Sequence, residues 1–196
     1  SSVAETSHDL GTLCYKESDL QGARRFYEES LGMKRQVFGE TASSSVADTL
    51  HALGVLCFTQ SDLQGARRFY EQALGMKRQV FGETANSSVA DTLHALGVLC
   101  FTQSDSQGAR RFYEEALGMK RQVFGETANS SVADTDTLHA LGVLCFTQSD
   151  SQGARRFYEE ALGMKRQVFG ETANSSVADT LHALGALCST QSDLQG

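Results

Sequence analysis

The chain of 196 residues contains no proline and no tryptophan. Average usage would give about ten prolines. Proline removes a backbone donor and breaks helix interiors, so its absence suits a chain built from long helices. No apolar run approaches the roughly 18–20 residues of a membrane-spanning helix. The first residues, Ser1-Ser2-Val3-Ala4-Glu5, carry no basic stretch and no apolar core, so no secretion signal is expected there. Basic residues are outnumbered 17 to 24 by acidic ones, for a net charge of −7, which disfavours a dedicated nucleic-acid binder. A hydrophobic content of 40% argues against disorder.

What is present comes in small multiples: 18 Gly, 5 Cys, 5 His, 5 Tyr and 4 Met. The cause is an internal repeat. The stretch 44–86 recurs over 87–129 with two changes, Ser106 for Leu63 and Glu115 for Gln72. It recurs again over 130–174 with an extra Asp-Thr pair, giving Asp134-Thr135-Asp136-Thr137. A more divergent copy fills 1–43, and a partial copy, helix A only, fills 175–196. The period is 43 residues, or 45 across the insertion. Near-identity at a fixed period predicts one continuous solenoid domain, because each unit can bury its apolar face only against its neighbours.

Each copy holds two helical patterns. Val46, Leu50, Leu53, Leu56 and Cys57 recur at three- and four-residue steps and define helix A, about 46–60. Ser45, three residues before Asp48, suits an N-cap with an acid in the first turn. The turn is Ser61-Asp62, and Ser61 with Gln64 has capping-box spacing. Ala66, Phe69, Tyr70, Ala73, Leu74, Met76, Val80 and Phe81 define helix B, about 63–81, which Gly82 stops. Gly75 lies inside helix B, where it costs about 1 kcal/mol relative to Ala. Close approach of a neighbouring helix would justify it, and local flexibility is the alternative. The last helix A is expected over about 177–190. The insertion is expected to be absorbed in the loop or first turn, leaving Leu138, Leu141 and Cys145 in register.

Leu50, Leu53-Gly54, Cys57, Ala66, Tyr70 and Ala73 resemble the core of a tetratricopeptide repeat. The extended end of helix B, Met76 to Gly82, and the period above 40 resemble the kinesin-light-chain subtype. The resemblance covers the whole chain. It implies an all-α TPR-type solenoid of paired antiparallel helices, wound as a right-handed superhelix, with A helices lining a concave peptide-binding groove. Two features depart from the subtype. Its usual loop proline is replaced by the Asn86-Ser87-Ser88 segment, and its groove asparagines are replaced by His51-Ala52.

The helix A positions left over from packing fall on one stripe: Asp48, His51, Val55 and Phe58. Later copies present Asp91, His94, Val98, Phe101 and Asp136, His139, Val143, Phe146. These are the candidate peptide-binding residues, suited to a partner segment with apolar anchors and some positive charge. The stripe lacks Lys and Arg, unlike a basic clamp for peptide carboxylates. An inner wall copied by duplication is the alternative account. Asp48 beside His51 would favour the imidazolium and raises the idea of a pH switch. Sixteen of the 17 basic residues fall on B helices, so a mildly basic outer surface partly balanced by Glu71 and its counterparts is expected.

No catalytic constellation, phosphate loop, cofactor motif or metal-ligand spacing is read. The five His sit one per copy, too far apart to converge on one ion. The five Cys, Cys14, Cys57, Cys100, Cys145 and Cys188, fall on the packing face without a CxxC pair, which suits a reducing, cytoplasmic setting. The sequons at Asn86, Asn129 and Asn174 are read as loop and capping chemistry. Two functions are left open: a non-enzymatic scaffold that binds a protein or peptide, or a self-assembling repeat protein associating through uncapped ends as a homo-oligomer. Neither nucleic acid nor membrane is expected as a partner.

Overall fold

The computed structural model describes residues 2–39, 41–82, 84–124, 132–169 and 175–193. Among them the regular structure is entirely helical, in the order α1 (Ser2–Lys16), α2 (Leu20–Phe38), α3 (Ser44–Thr59), α4 (Leu63–Phe81), α5 (Ser87–Thr102), α6 (Ser106–Phe124), α7 (Val132–Thr147), α8 (Ser151–Phe169) and α9 (Ser175–Asp193). Odd-numbered helices are the A helices and even-numbered ones the B helices. The chain forms two compact units, 1–84 and 85–196. In the first, α1 packs on α2, α3 on α4, and α2 on α3. In the second, α5 pairs with α6 and α7 with α8, while α6 and α8 each pack on the A helix that follows.

The hairpins close on a glycine–tyrosine contact. Gly54 of α3 lies under the ring of Tyr70 of α4, and a Cβ there would sit 2.5 Å from Tyr70 Cδ1. The same pairing joins Gly97 to Tyr113, Gly142 to Tyr158 and Gly11 to Tyr27. Around it Leu50, Leu53, Leu56, Ala66 and Ala73 are at most 1% exposed. The residues that carry the family resemblance are therefore the ones that close the hairpin.

The A-to-B turn differs from the capping-box expectation. Ser61 adopts a left-handed φ of 62°, and Ser18, Ser104 and Ser149 do the same. The amide of Asp62 donates to Cys57 O and that of Ser61 to Phe58 O, the paired bonds of a helix C-terminus that turns through a left-handed residue. Asp62, not Ser61, is the N-cap of α4, its carboxylate accepting from Gly65 N at 2.9 Å. A serine in the left-handed region cannot also hold the extended backbone that an N-cap needs.

Ser45 is likewise not a cap. Helix α3 starts at Ser44 after Ser43, whose side chain makes no cap bond, and no acid lies in its first turn. Asn86 takes that role for α5, accepting from Ser88 N and Val89 N. The sequon at Asn86 thus does capping work, while Asn129 and Asn174 lie outside the described residues. Gly82 stops α4 as expected, at φ 62° with its amide donating to Arg78 O.

The insertion leaves the core register intact: Leu138, Leu141 and Cys145 are fully buried. Counting back from Leu138, Asp134 falls where Val46 and Val89 stand, and Thr135 falls where Ala47 and Ala90 stand. Asp134 is 1% exposed. The first turn of α7 therefore buries a carboxylate in a valine site, and that burial pushes its pKa up.

Gly75 has no close neighbour. A Cβ there would meet no heavy atom within 4 Å, and the same holds at Gly32, Gly118 and Gly163. Close helix approach does not account for these residues. Gly75 instead borders an open depression of about 270 Å³ with Arg35, Gln72, Met76 and Gln79.

Candidate functional site

The stripe residues divide by what surrounds them. Asp48, Asp91 and Asp136 are exposed, as are Phe101 and Phe146, at 36% and 37%. Phe58 and the valines Val55, Val98 and Val143 are half-buried. The histidines turn inward. His51 packs at a tilt against Tyr70 with ring centroids 5.5 Å apart, His94 against Tyr113 at 5.4 Å and His139 against Tyr158 at 5.3 Å. His94 Nδ1 is also 3.0 Å from Thr137 Oγ1, and His139 Nδ1 is 3.3 Å from Thr180 Oγ1. The imidazoles thus belong to the packing between helices, while Asp and Phe form the outward part of the stripe.

The expected effect of Asp48 on His51 is reversed. Burial is the largest influence, the Lys77 ammonium adds to it, and Asp48 opposes both without prevailing, so His51 falls to about 4. His94 falls to about 4 through burial and Lys120. Both rings are neutral at pH 7, so an acid–base switch that stabilises the imidazolium does not exist here.

Four lysines add to the effect of burial. Lys34, Lys77, Lys120 and Lys165 are 5%, 2%, 2% and 2% exposed, although they sit among the charges at the end of each B helix. Lys77 Nζ is 3.2 Å from Asp48 Oδ1, and Lys120 Nζ is 3.5 Å from Asp91 Oδ1. Lys34 donates to Thr49 Oγ1 and Ser45 O, and Lys165 donates to Thr180 Oγ1 and Ser176 O. The stripe's carboxylates therefore rest on buried ammonium groups, and the A-helix faces are less acidic than composition implied. The outer surface is correspondingly less basic. What remains there is arginine, and Arg24, Arg67, Arg110 and Arg155 pair with the Glu four residues on, at 3.5–3.8 Å.

The cysteines follow burial by repeat. Cys57, Cys100 and Cys145 are buried, Cys14 is half-buried and Cys188 is exposed, against the expectation that all five face the core. Arg24 reaches across to Cys57 Sγ and Gln60 Oε1, and Arg110 to Cys145 Sγ and Gln148 Oε1, tying α2 to α3 and α6 to α7. Among the described residues no three His, Cys, Asp or Glu side chains are grouped to hold a metal, and no helix is long and apolar enough to cross a membrane.

Tetratricopeptide repeat models match residues 2–79, 45–122 and 135–174. Among solved structures, BtubC (BKLC) from P. vanneervenii superposes with a TM-score of 0.83 at 24% identity, covering 97% of this chain and 74% of that one. A protein of Podosopora anserina, described as a kinesin light chain with nearly identical TPR-like repeats, superposes with a TM-score of 0.74 at 15% identity, covering 97% and 91%. No curated protein matches the chain. The repeat matches span more than half of the sequence, and the fold agrees: the chain belongs to the tetratricopeptide repeat family.

Proposed function

We propose that this chain is a non-enzymatic scaffold that binds a peptide or partner segment along the A-helix faces of its units. Tetratricopeptide repeats generally mediate protein–protein interaction. The observation that carries the reading is the outward placement of a phenylalanine and a carboxylate in register, Phe101 with Asp91 and Phe146 with Asp136, on helices whose leucines are buried. Exposed aromatics at regular spacing offer anchor sites, and the lysine-backed carboxylates offer acceptors without a large net charge. The favoured partner is a segment with apolar anchors and hydrogen-bond donors, and it needs less positive charge than the sequence alone implied. Five cysteines with no disulfide among them fit a cytoplasmic setting.

A peptide-display selection tests this. Sequences should enrich on the chain and be lost when Phe58, Phe101 and Phe146 are changed together to Ala. Enrichment that survives the triple change rules out these faces. The second reading is self-association. Leu181 of α9 is 45% exposed where its counterpart Leu50 is 1% exposed, and Leu10 and Leu13 of α1 are 38% and 51% exposed. A mass that stays monomeric at high concentration ends that reading.

A further inference from the structure

Inside each unit, the junction between one repeat and the next is built on a single shared oxygen. Thr49 Oγ1 of α3 accepts from Lys34 Nζ of α2 at 2.8 Å and lies 3.2 Å from His8 Nδ1 of α1. Thr137 Oγ1 of α7 accepts from Lys120 Nζ of α6 at 3.3 Å and lies 3.0 Å from His94 Nδ1 of α5. Thr180 Oγ1 of α9 accepts from Lys165 Nζ of α8 at 2.9 Å and lies 3.3 Å from His139 Nδ1 of α7. Both helices of one repeat thus meet the A helix of the next at one hydroxyl.

That oxygen is fully served by a lysine and a neutral ring. A threonine hydroxyl has one proton to donate and two lone pairs. The lysine fills one lone pair. The other group at the oxygen is satisfied by a neutral imidazole, which either accepts the threonine proton at Nδ1 or donates its own. At Thr49 and Thr180 the hydroxyl proton can instead go to Ser45 O or Ser176 O, four residues back. A second proton on the ring adds no bond at the threonine and brings a second cation to an oxygen that already holds an ammonium.

His94 faces Lys120 and Tyr113 from α6 and Thr137 from α7, with Asp91 on its own helix and Asp134 of α7 close to Lys120. His139 faces Lys165 and Tyr158 from α8 and Thr180 and Asp179 from α9, with Asp136 on its own helix. His8 faces Lys34 and Tyr27 from α2 and Thr49 and Asp48 from α3, with Asp9 beside it. At His8 and His139 carboxylates oppose the lysine, yet burial and the ammonium prevail; at His94 burial and Lys120 act together, and all three rings are lowered from the ordinary value.

We propose that these junctions form an acid-sensitive latch: protonating the imidazole sets two cations on one threonine, and the following hairpin releases from its repeat. The latch belongs to the packing between repeats and stands whether or not the A-helix faces bind a peptide.

The test uses the intact chain. Histidine NMR titration reads the rings, and hydrogen exchange of α7 and α9 reads docking. His8, His94 and His139 should titrate below the ordinary histidine range. The opening constant at the His94 junction should rise up to tenfold for each unit the pH falls, about 300-fold in all between its ordinary pKa of 6.5 and about 4. Lys120→Met should move the His94 midpoint upward, and Thr137→Ser should keep it where it is. Rings that titrate at or above 6.5, exchange that follows only its intrinsic pH dependence, or a His94 midpoint unmoved by Lys120→Met would each overturn the latch. If Lys120→Met does not fold, the titration of the unmodified chain still decides.

Discussion

Changing one glycine to alanine in each helix of a hairpin should shift stability in opposite directions. Gly118 in α6 is exposed, helical and open, with no heavy atom within 4 Å of a Cβ placed on it. Gly118→Ala therefore gains helix propensity, about 0.8–1 kcal/mol, at no steric cost. For a chain of this size that is about 2–4 °C in Tm. Gly32, Gly75 and Gly163 share the environment, and the four changes together should raise Tm by roughly 8–16 °C if the sites are independent. Gly97 in α5 is the control. A Cβ there would sit 2.5 Å from Tyr113 Cδ1, and the ring is pinned between His94 and the core. Overpacking of this kind typically costs about 1–3 kcal/mol, so Gly97→Ala should lose up to about 2 kcal/mol after the propensity gain. Thermal melts and urea titrations by circular dichroism read both. A Gly118→Ala that lowers Tm, or a Gly97→Ala as stable as the parent, would refute the assignment of one glycine as a packing requirement and the other as a vacancy.

Three further changes test local claims. Ser104→Gly should stabilise the chain by about 1 kcal/mol in urea titration, because Ser104 holds a φ of 61° that suits glycine. Asp105→Ala should cost about 1 kcal/mol in the same assay by removing the cap on Gly108 N. Asp134→Val should stabilise the fourth repeat by restoring the valine found at 46 and 89. Burial raises the pKa of Asp134, so its protonated form favours the fold and its penalty grows as pH rises. The gain from Asp134→Val should therefore be larger at pH 7 than at pH 4 when melts are compared.

The hairpins were legible because their signal is periodic and steric. Leu50, Leu53 and Leu56 mark the buried face of α3, and Gly54 opposite Tyr70 marks the close approach. The boundaries of α4 follow directly from its apolar period and the glycine at 82. The lysines were missed because they stand in a charged run, Lys77-Arg78, where solvation is the ordinary outcome. A signal was present: Ala66, Tyr70, Ala73 and Lys77 fall at i, i+4, i+7 and i+11, so Lys77 lies on the buried stripe. The histidines were misplaced for the same reason. A polar residue one step from a leucine, as His94 is from Leu93, reads as groove-facing until Tyr113 of α6 and Thr137 of α7 close over it. The turn serines were read as caps because sequence spacing does not report φ.

The central claim is that the outward Phe and Asp of the A helices hold a partner segment while the inward His and Lys hold the repeats together. Calorimetric titration of one display-selected peptide into four proteins tests it: the parent, Phe101→Ala with Phe146→Ala, Asp91→Ala with Asp136→Ala, and Arg68→Ala on the outer face. The account predicts at least tenfold weaker binding for the phenylalanine pair, about 1.4 kcal/mol or more, with no loss for Arg68→Ala and little change in Tm for that control. Equal affinity for the parent and the phenylalanine pair, or a loss only with Arg68→Ala, would contradict it.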